Sequence, residues 1–338
     1  MDSIENKYAE FRAAGINHLL RFNPYYKSVI WGGKRISAFK RTEVDSQTLG
    51  ESWELSSIPG HETTVCTGPL KGATINDLIK VFGPEFLGTE VWEKYGPEFP
   101  LLIKIIDAND DLSVQVHPDD DTAVRLNGSG ARGKTEMWYV LDANPDSKIY
   151  VGLKDELNPA SFEKHIKDNT IMDVVAAHPS HVGQFYLIPA GTVHAIGAGN
   201  LIAEVQQPSD ITYRLFDYNR KDTDGRPRQL HLTQATQAID FHVPLSIQPK
   251  AVSYPATRSR AVTCGYFRVD YLHIGSEAHR VVHDSRSFTV LMTVSGDAEV
   301  VIEGERITLH RGHTVLIPAA AKKPLVSGPA TLLRITPL

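Results

Sequence analysis

Cysteine is almost missing from this 338-residue chain, which has two, Cys66 and Cys264, with no CxxC spacing. That is too few for a disulfide framework and points to a reduced, cytoplasmic setting. No apolar run approaches the roughly 20 residues a membrane helix needs. The opening Met1-Asp-Ser-Ile-Glu-Asn-Lys7 has neither a basic leader nor an apolar core, so no signal peptide is expected. Positive charge is not in excess either. The formal net charge is −5, and no basic run interleaves with aromatics, which removes nucleic acid from the expected partners. Two catalytic signatures are also missing. There is no Gly-x-Ser-x-Gly elbow, and neither cysteine has a neighbouring histidine.

What remains is an ordinary globular composition, 41% apolar and 22% charged, in a chain long enough for about two domains. Its most informative stretch is Gly183–His194. The apolar run Phe185-Tyr-Leu-Ile188 ends at Pro189, which cannot donate to a sheet ladder. Ala190 and Gly191 then turn, and His194 starts the returning strand, held just past a rigid corner. Leu112–Pro118 alternates strictly, so Ser113, Gln115 and His117 share one strand face. The run Leu101–Ile106 reads as a buried strand with Lys104 as its one charge. Lys134 and Glu136 lead into a strand over Met137–Leu141, while 200–207 and 211–217 read as strands carrying the isolated charges Glu204 and Arg214. Gly50–Ser56 also alternates, which puts Glu51 and Glu54 on opposite faces.

Helices are expected over 3–22, running into a turn at Asn23-Pro24, and from Thr74 with Asp77 three residues on, interrupted at Gly83-Pro84. Others are expected from Asn158-Pro159 through Ile166 and over 171–177. Asp119-Asp120-Asp121 reads as an acidic turn, and 241–257, with Pro244, Pro249 and Pro255, as a linker. Residues 260–338 read as short strands and turns of a small β-sandwich or barrel. One echo ties the two parts together. Gly312-His-Thr-Val-Leu-Ile-Pro318-Ala repeats Gly183-Gln-Phe-Tyr-Leu-Ile-Pro189-Ala, and Lys323 stands where His194 would fall. A duplicated β module follows, with the histidine in the first copy alone.

Gln115, His117, Glu136 and His194 form a candidate metal set, since histidine and glutamate are standard ligands of Zn²⁺ and similar ions and a glutamine carbonyl can add a contact. Gln115 and His117 sit two apart on one strand, and Glu136 and His194 must come from other strands of the same barrel. Lys104, Lys134, Glu204 and Arg214 are single charges on or beside apolar strands, costly unless paired or facing a cavity. Two readings are open: a buried ion pair, such as Glu204 with Arg214, or a substrate cavity with anion binders and a proton-transfer group.

These residues meet a known pattern. Gly183–His194 resembles the second cupin motif. Pro100-Leu-Leu-Ile-Lys104, Leu112–Asp119, Gly133-Lys-Thr-Glu136-Met-Trp138 and Ile211-Thr-Tyr-Arg214 resemble the zinc-dependent, type I mannose-6-phosphate isomerases in their short bacterial form. Gln115-x-His117, where many cupins have His-x-His, and the wide gap to Glu136 favour that family over cupin dioxygenases. The resemblance implies a mainly β fold of two cupin-type modules with a few short helices. Residues 1–243 would be the catalytic metal-binding domain and 244–338 a cupin-like domain lacking the metal site. It implies interconversion of mannose 6-phosphate and fructose 6-phosphate through a cis-enediol(ate). One Zn²⁺ per chain would be held by Gln115, His117, Glu136 and His194. Arg214, Lys134 and Glu204 match the family's active-site positions, and Lys104 and Ser113 are candidate phosphate contacts. The expected partner is a small sugar phosphate, with neither nucleic acid nor membrane, and the chain a monomer or homodimer. Two alternatives are a related cupin isomerase for another phosphosugar, such as glucose 6-phosphate, and a non-catalytic, metal-containing sugar-binding cupin.

Overall fold

A computed structural model describes residues 2–154, 157–222, 224–242, 250–251 and 258–338. The chain is mainly β, with its strands in four larger sheets and one two-stranded ribbon. The first large sheet has seven strands in the order Lys250–Ala251, Gln184–Ile188, Glu136–Ala143, Asn200–Gln206, Leu102–Ala108, Leu49–Leu55 and Tyr25–Gly33. A five-stranded sheet lies against it, in the order Tyr213–Phe216, Val114–Val116, His194–Ile196, Lys148–Leu153 and Val175–Pro179. Trp138, Val140 and Ile202 from the first meet Ile149, Val151 and Ile196 from the second in a shared core.

A second sandwich follows in the C-terminal part. Arg258–Thr263, Phe267–Ile274, Ala330–Pro337, Thr289–Gly296 and Thr314–Ile317 make one sheet, and His279–Arg280, Leu325–Ser327, Ala298–Ile302 and Glu305–Leu309 the other. Leu272, Leu291, Val300, Ile317 and Leu332 fill the space between them. The outer face of the seven-stranded sheet is not left to solvent. Ile103, Ile105, Leu201, Ala203 and Val205 pack with Phe82, Phe86 and Phe99, and with Phe267, Val290 and Leu333 of the second sandwich. Both faces of its central strands are therefore buried, which is why Leu102–Ala108 reads as an almost unbroken apolar run. Among the described residues no helix is long and apolar enough to cross a membrane.

The helix at Thr74 is confirmed with its capping box. Ile75–Phe82 starts where the Thr74 side chain accepts from Asp77 N and the Asp77 carboxylate accepts from Thr74 N. Asn158 caps Pro159–Lys167 in the same way. Three expectations are corrected. The first helix spans Asp2–Ala14, not 3–22, because Gly15 takes φ 76 and closes it, as a left-handed residue past a helix end does. Phe22–Asn23 then pairs with Thr64–Val65. Asp119–Asp121 is not a turn, since Asp119 caps the helix Asp120–Asn127, whose N-terminal dipole suits carboxylates. The expected helix 171–177 stops at Val174, and Val175–Pro179 joins the strand Lys148–Leu153. Of the expected linker 241–257, residues 243–249 and 252–257, and with them the 243/244 domain boundary, lie outside the described residues. Lys250–Ala251 pairs with Gln184–Phe185.

The capping carboxylate of Asp77 also accepts from Lys7 Nζ at 3.1 Å and Tyr8 Oη at 2.9 Å, tying the N-terminal helix to the fold. Asp77→Ala should lower unfolding stability by about 1–2 kcal/mol, the worth of a lost cap. A urea midpoint equal to that of the unchanged chain would show that the box contributes nothing.

Candidate active site

Sheet register explains how residues far apart in sequence meet. In the seven-stranded sheet, directly opposed residues share a face, and one row runs Trp53, Lys104, Glu204, Trp138 and Tyr186. The adjoining row places Glu136 between Gln206 and Ile188. In the facing sheet Arg214 opposes Gln115, and Gln115 opposes His194. Gln115, His194 and Arg214 thus look across the gap at Glu136 and Glu204, with His117 just past the end of its strand. The Gly191 corner holds His194 in place. Its φ is +85 and a Cβ there would meet Asp240 Cβ at 2.9 Å, so glycine is required.

His117, Glu136 and His194 are all buried, and their ligand atoms lie within 4.8 Å of one another. His194 Nε2 is 3.4 Å from Glu136 Oε1 and 3.4 Å from Gln115 Nε2, and His117 Nε2 is 3.5 Å from Glu136 Oε2. The chemistry of this set fits a divalent cation. Each imidazole donates from Nδ1 to a backbone carbonyl, His117 to Ile211 at 2.9 Å and His194 to Thr192 at 2.8 Å. That fixes the tautomer and leaves both Nε2 lone pairs facing inward. Burial pushes the His117 pKa well down, with Lys134 adding to it, and holds that of His194 at about 4, so both rings are in the neutral, ligating form. Neither buried oxygen of Glu136 receives a well-aligned hydrogen bond. The Lys134 ammonium sits against the same atoms, 2.7 Å from Glu136 Oε2 and 3.1 Å from His117 Nε2.

The donor set opens on a cleft of about 360 Å³ whose walls include Lys104, Ser113, Gln115, Lys134, Glu204 and Arg214. The register therefore brings all the sequence-predicted residues to one place. Their pairing differs from one of the two sequence readings. Glu204 faces Lys104, at 3.6 Å, and not Arg214. Lys104 lies between two carboxylates, with Glu51 Oε2 at 3.2 Å. Burial alone would raise the Glu51 pKa, but Lys104 and Lys27 outweigh it and hold the group at about 2. Burial likewise opposes the charge on Lys104, and Glu51 and Glu204 more than offset it, so its pKa rises. For Glu204 burial wins over Lys134 and Lys104, and its pKa stands above the usual carboxylate value. Its Oε1 accepts from Trp138 Nε1 at 2.9 Å, while the buried Oε2 receives no hydrogen bond. Arg214 donates from Nε to Ser113 Oγ at 3.2 Å and from Nη1 to Gln229 O at 2.8 Å.

Glu51, Lys27, Arg228 and Asp210 also line the cleft, and sequence reading did not single them out for it. The opposite-face reading of Glu51 and Glu54 holds. Glu51 accepts from Trp53 Nε1 on the cleft side, and Glu54 accepts from Ser52 on the other. An acid two residues from a tryptophan on a buried strand was the available signal for Glu51. Arg228 had none, since Asp217 holds it across a loop. Taken together, the cleft offers a cation site, a proton acceptor with a raised pKa, and positive charge from Lys134 and Arg214, the parts needed to move a proton beside a polarised oxygen.

Comparison with known proteins agrees with this geometry. Residues 19–134 match the family described as phosphomannose isomerase type I, catalytic domain. Residues 257–337 match mannose-6-phosphate isomerase, cupin domain. The chain is 35% identical to the mannose-6-phosphate isomerase ManA of Bacillus subtilis over 308 residues, 88% of this chain and 92% of that protein. It is 32% identical to the mannose-6-phosphate isomerase of Streptococcus mutans, covering 87% of this chain and 90% of that protein. The crystal structure of the mannose 6-phosphate isomerase from Bacillus subtilis superposes with a TM-score of 0.80 at 30% identity, over 94% of this chain and 99% of that one.

His194→Ala should lose stoichiometric metal after dialysis against a divalent transition metal, read by elemental analysis of the folded protein. Full metal content in that variant would remove His194 from the ligand set.

Proposed function

The chain belongs to the type I mannose-6-phosphate isomerase family, and we propose how its cleft performs the aldose–ketose interconversion of mannose 6-phosphate and fructose 6-phosphate that goes with membership. The observation that carries the proposal is the convergence of the His117, Glu136 and His194 donor atoms within 4.8 Å, against Gln115 and Lys134, which line the same cleft as Glu204 and Arg214.

Isomerisation moves a proton between C1 and C2 and leaves charge on the adjacent oxygens. Three buried carboxylates, Glu51, Glu136 and Glu204, face two lysines, Lys104 and Lys134. Both buried oxygens of Glu136 lack a hydrogen bond and face two neutral imidazoles, which supports a bound cation. The Zn²⁺ ion that Gln115, His117, Glu136 and His194 would hold, one per chain, supplies Lewis-acid polarisation of substrate oxygens. Glu204 takes and returns the proton. Its raised pKa brings it toward neutral, where a general base works best, and its Oε2 accepts no hydrogen bond, the Lys104 ammonium standing 3.6 Å away. Lys134 and Arg214 stabilise the developing negative charge, Arg214 only as a donor because it stays protonated. Ser113 and Arg214, with Arg228 beside them, provide the hydroxyl and cations that a phosphate needs. Lys104, flanked by two carboxylates, serves to hold Glu51 and Glu204 more than to meet the phosphate. In this reading residues 1–243 are the catalytic domain and 244–338 a cupin-like domain without the ligand set. The enzyme is cytoplasmic and works on a free sugar phosphate as a monomer or homodimer.

Chelator-sensitive conversion of mannose 6-phosphate in a coupled assay tests the whole reading. Metal-replete protein that binds the sugar phosphate without exchanging the C2 proton with solvent would overturn it. Arg214→Ala should keep its metal and fold and lose about 10²- to 10³-fold in kcat, the cost of removing a charge-stabilising donor. Near-normal turnover would count against that role. A base works deprotonated, so activity rises as pH climbs through the Glu204 pKa, and the acid limb of kcat/KM should lie above the ordinary glutamate value of 4.5. Lys104 lowers that pKa, so Lys104→Met should move the limb to higher pH. A limb that stays put would point to another base.

A further inference from the structure

The strand Leu49–Leu55 has a second polar face. Glu51 lines the catalytic cleft, while Ser52 and Glu54 lie on the other face, where Glu54 lines a separate cavity of about 310 Å³. Both parts of the chain build this cavity. Arg21, Tyr26, Lys40 and Glu54 come from the N-terminal part, and His313 and Thr314 from the second copy of the glycine-led repeat. The backbones join beside it, where Leu20 and Leu316 exchange both hydrogen bonds at 2.9 Å.

Its base is built rather than incidental. Lys40 and Glu54 are each 4% exposed, Ser52 is fully buried, and Lys40 Nζ donates to Glu54 Oε1 at 2.5 Å and to Ser52 Oγ at 3.3 Å. The Gly312 turn clamps the lysine stem. At φ +81, a Cβ on Gly312 would meet Lys40 Cγ at 2.7 Å, so the repeat's glycine is needed for this approach. The charges do not balance. Two cations, Arg21 and Lys40, face one carboxylate, and among the described residues no carboxylate comes within ion-pair distance of Arg21. Arg21 Nη2 reaches only the His313 ring, at 3.3 Å. The surroundings of His313 report the resulting field, since burial, then Arg21 and Lys40, push its pKa down to about 4. Thr314, also more than nine-tenths buried, leaves its hydroxyl without a hydrogen-bond partner.

We propose that this cavity is a second ligand site, distinct from the catalytic cleft, and that it takes a small phosphate-bearing anion between Arg21, Lys40 and Thr314. A guanidinium, an ammonium and a free hydroxyl supply the several donors that a tetrahedral oxyanion accepts. The ligand touches the back of the strand whose front carries Glu51, so the two sites share one structural element. The site does not depend on the assignment of catalytic roles.

Cys66 lines the cavity and is half-buried, so it serves as a reporter. In full-length, metal-loaded protein carrying Cys264→Ser, inorganic phosphate should slow iodoacetamide alkylation of Cys66 saturably. Arg21→Gln should weaken that protection about tenfold or more, as loss of a charge-assisted bond does. Thr314→Val, which keeps the buried shape, should weaken it as well, and Arg214→Ala should leave it unchanged. Substituting fructose 6-phosphate for inorganic phosphate distinguishes a phosphate monoester from the free ion, and saturable protection by either supports the site. The proposal is overturned if neither anion protects Cys66, if folded Arg21→Gln and Thr314→Val both keep full protection, or if Arg214→Ala abolishes it.

Discussion

A β-strand has two faces, and in the seven-stranded sheet both are buried. That constraint governs the rest of the molecule. One face, through Ile103, Ile105, Leu201 and Val205, has to be apolar because helices and the second sandwich pack on it. The other carries Lys104, Glu204, Trp138 and Glu136 toward the facing sheet. Because the side-chain period is two, a slip of one residue would drive Lys104 and Glu204 into the apolar core and strip the cleft of its charges. Register is thus specified by the cost of burying a charge in the wrong layer, and the same register lines up the site.

The charges on that inner face stand by mutual support. Lys104 would be costly to bury alone, and Glu51 and Glu204 keep it charged. Glu51, closest to Lys104 and also near Lys27, is held firmly ionised, whereas Glu204 shares its cations with other groups and lets burial raise its pKa. Two carboxylates on the strands either side of Leu102–Ala108 therefore acquire different proton affinities from their neighbours alone. In the proposed mechanism that separation lets Glu204 carry the proton while Glu51 acts as a fixed countercharge.

The duplicated module shows how one device serves two ends. In the first copy the strand Gln184–Ile188 pairs with Glu136–Ala143, so Ile188 opposes Glu136, and the corner beyond presents His194. In the second copy Ile317 opposes Thr289, and the position matching His194 is Lys323, which is exposed. Both ligand positions are lost together, and the glycine that opens the second copy is instead packed on the Lys40 stem.

Local chemistry made much of this readable from the sequence. Alternation over Leu112–Pro118, the proline and glycine that end and turn the Gly183–His194 strand, and the Thr74 and Asn158 caps act within a few residues, and each is found in the fold. His117, Glu136 and His194, whose donor atoms converge, could be picked out because their motifs are local too. Readings went astray where a single residue or a distant partner decided. Gly15 cut short a helix that its apolar spacing would have extended, and Val175 left a helix for a sheet edge offered by Lys148–Leu153. Only the tertiary structure could decide that Glu204 faces Lys104, that Glu51 joins the cleft, that Asp217 holds Arg228 at its mouth, and that the two modules enclose a second polar cavity. Those outcomes depend on which strands become neighbours and at what register. Hydrogen-bonded pairing settles that between segments up to a hundred residues or more apart, which no short window of sequence contains.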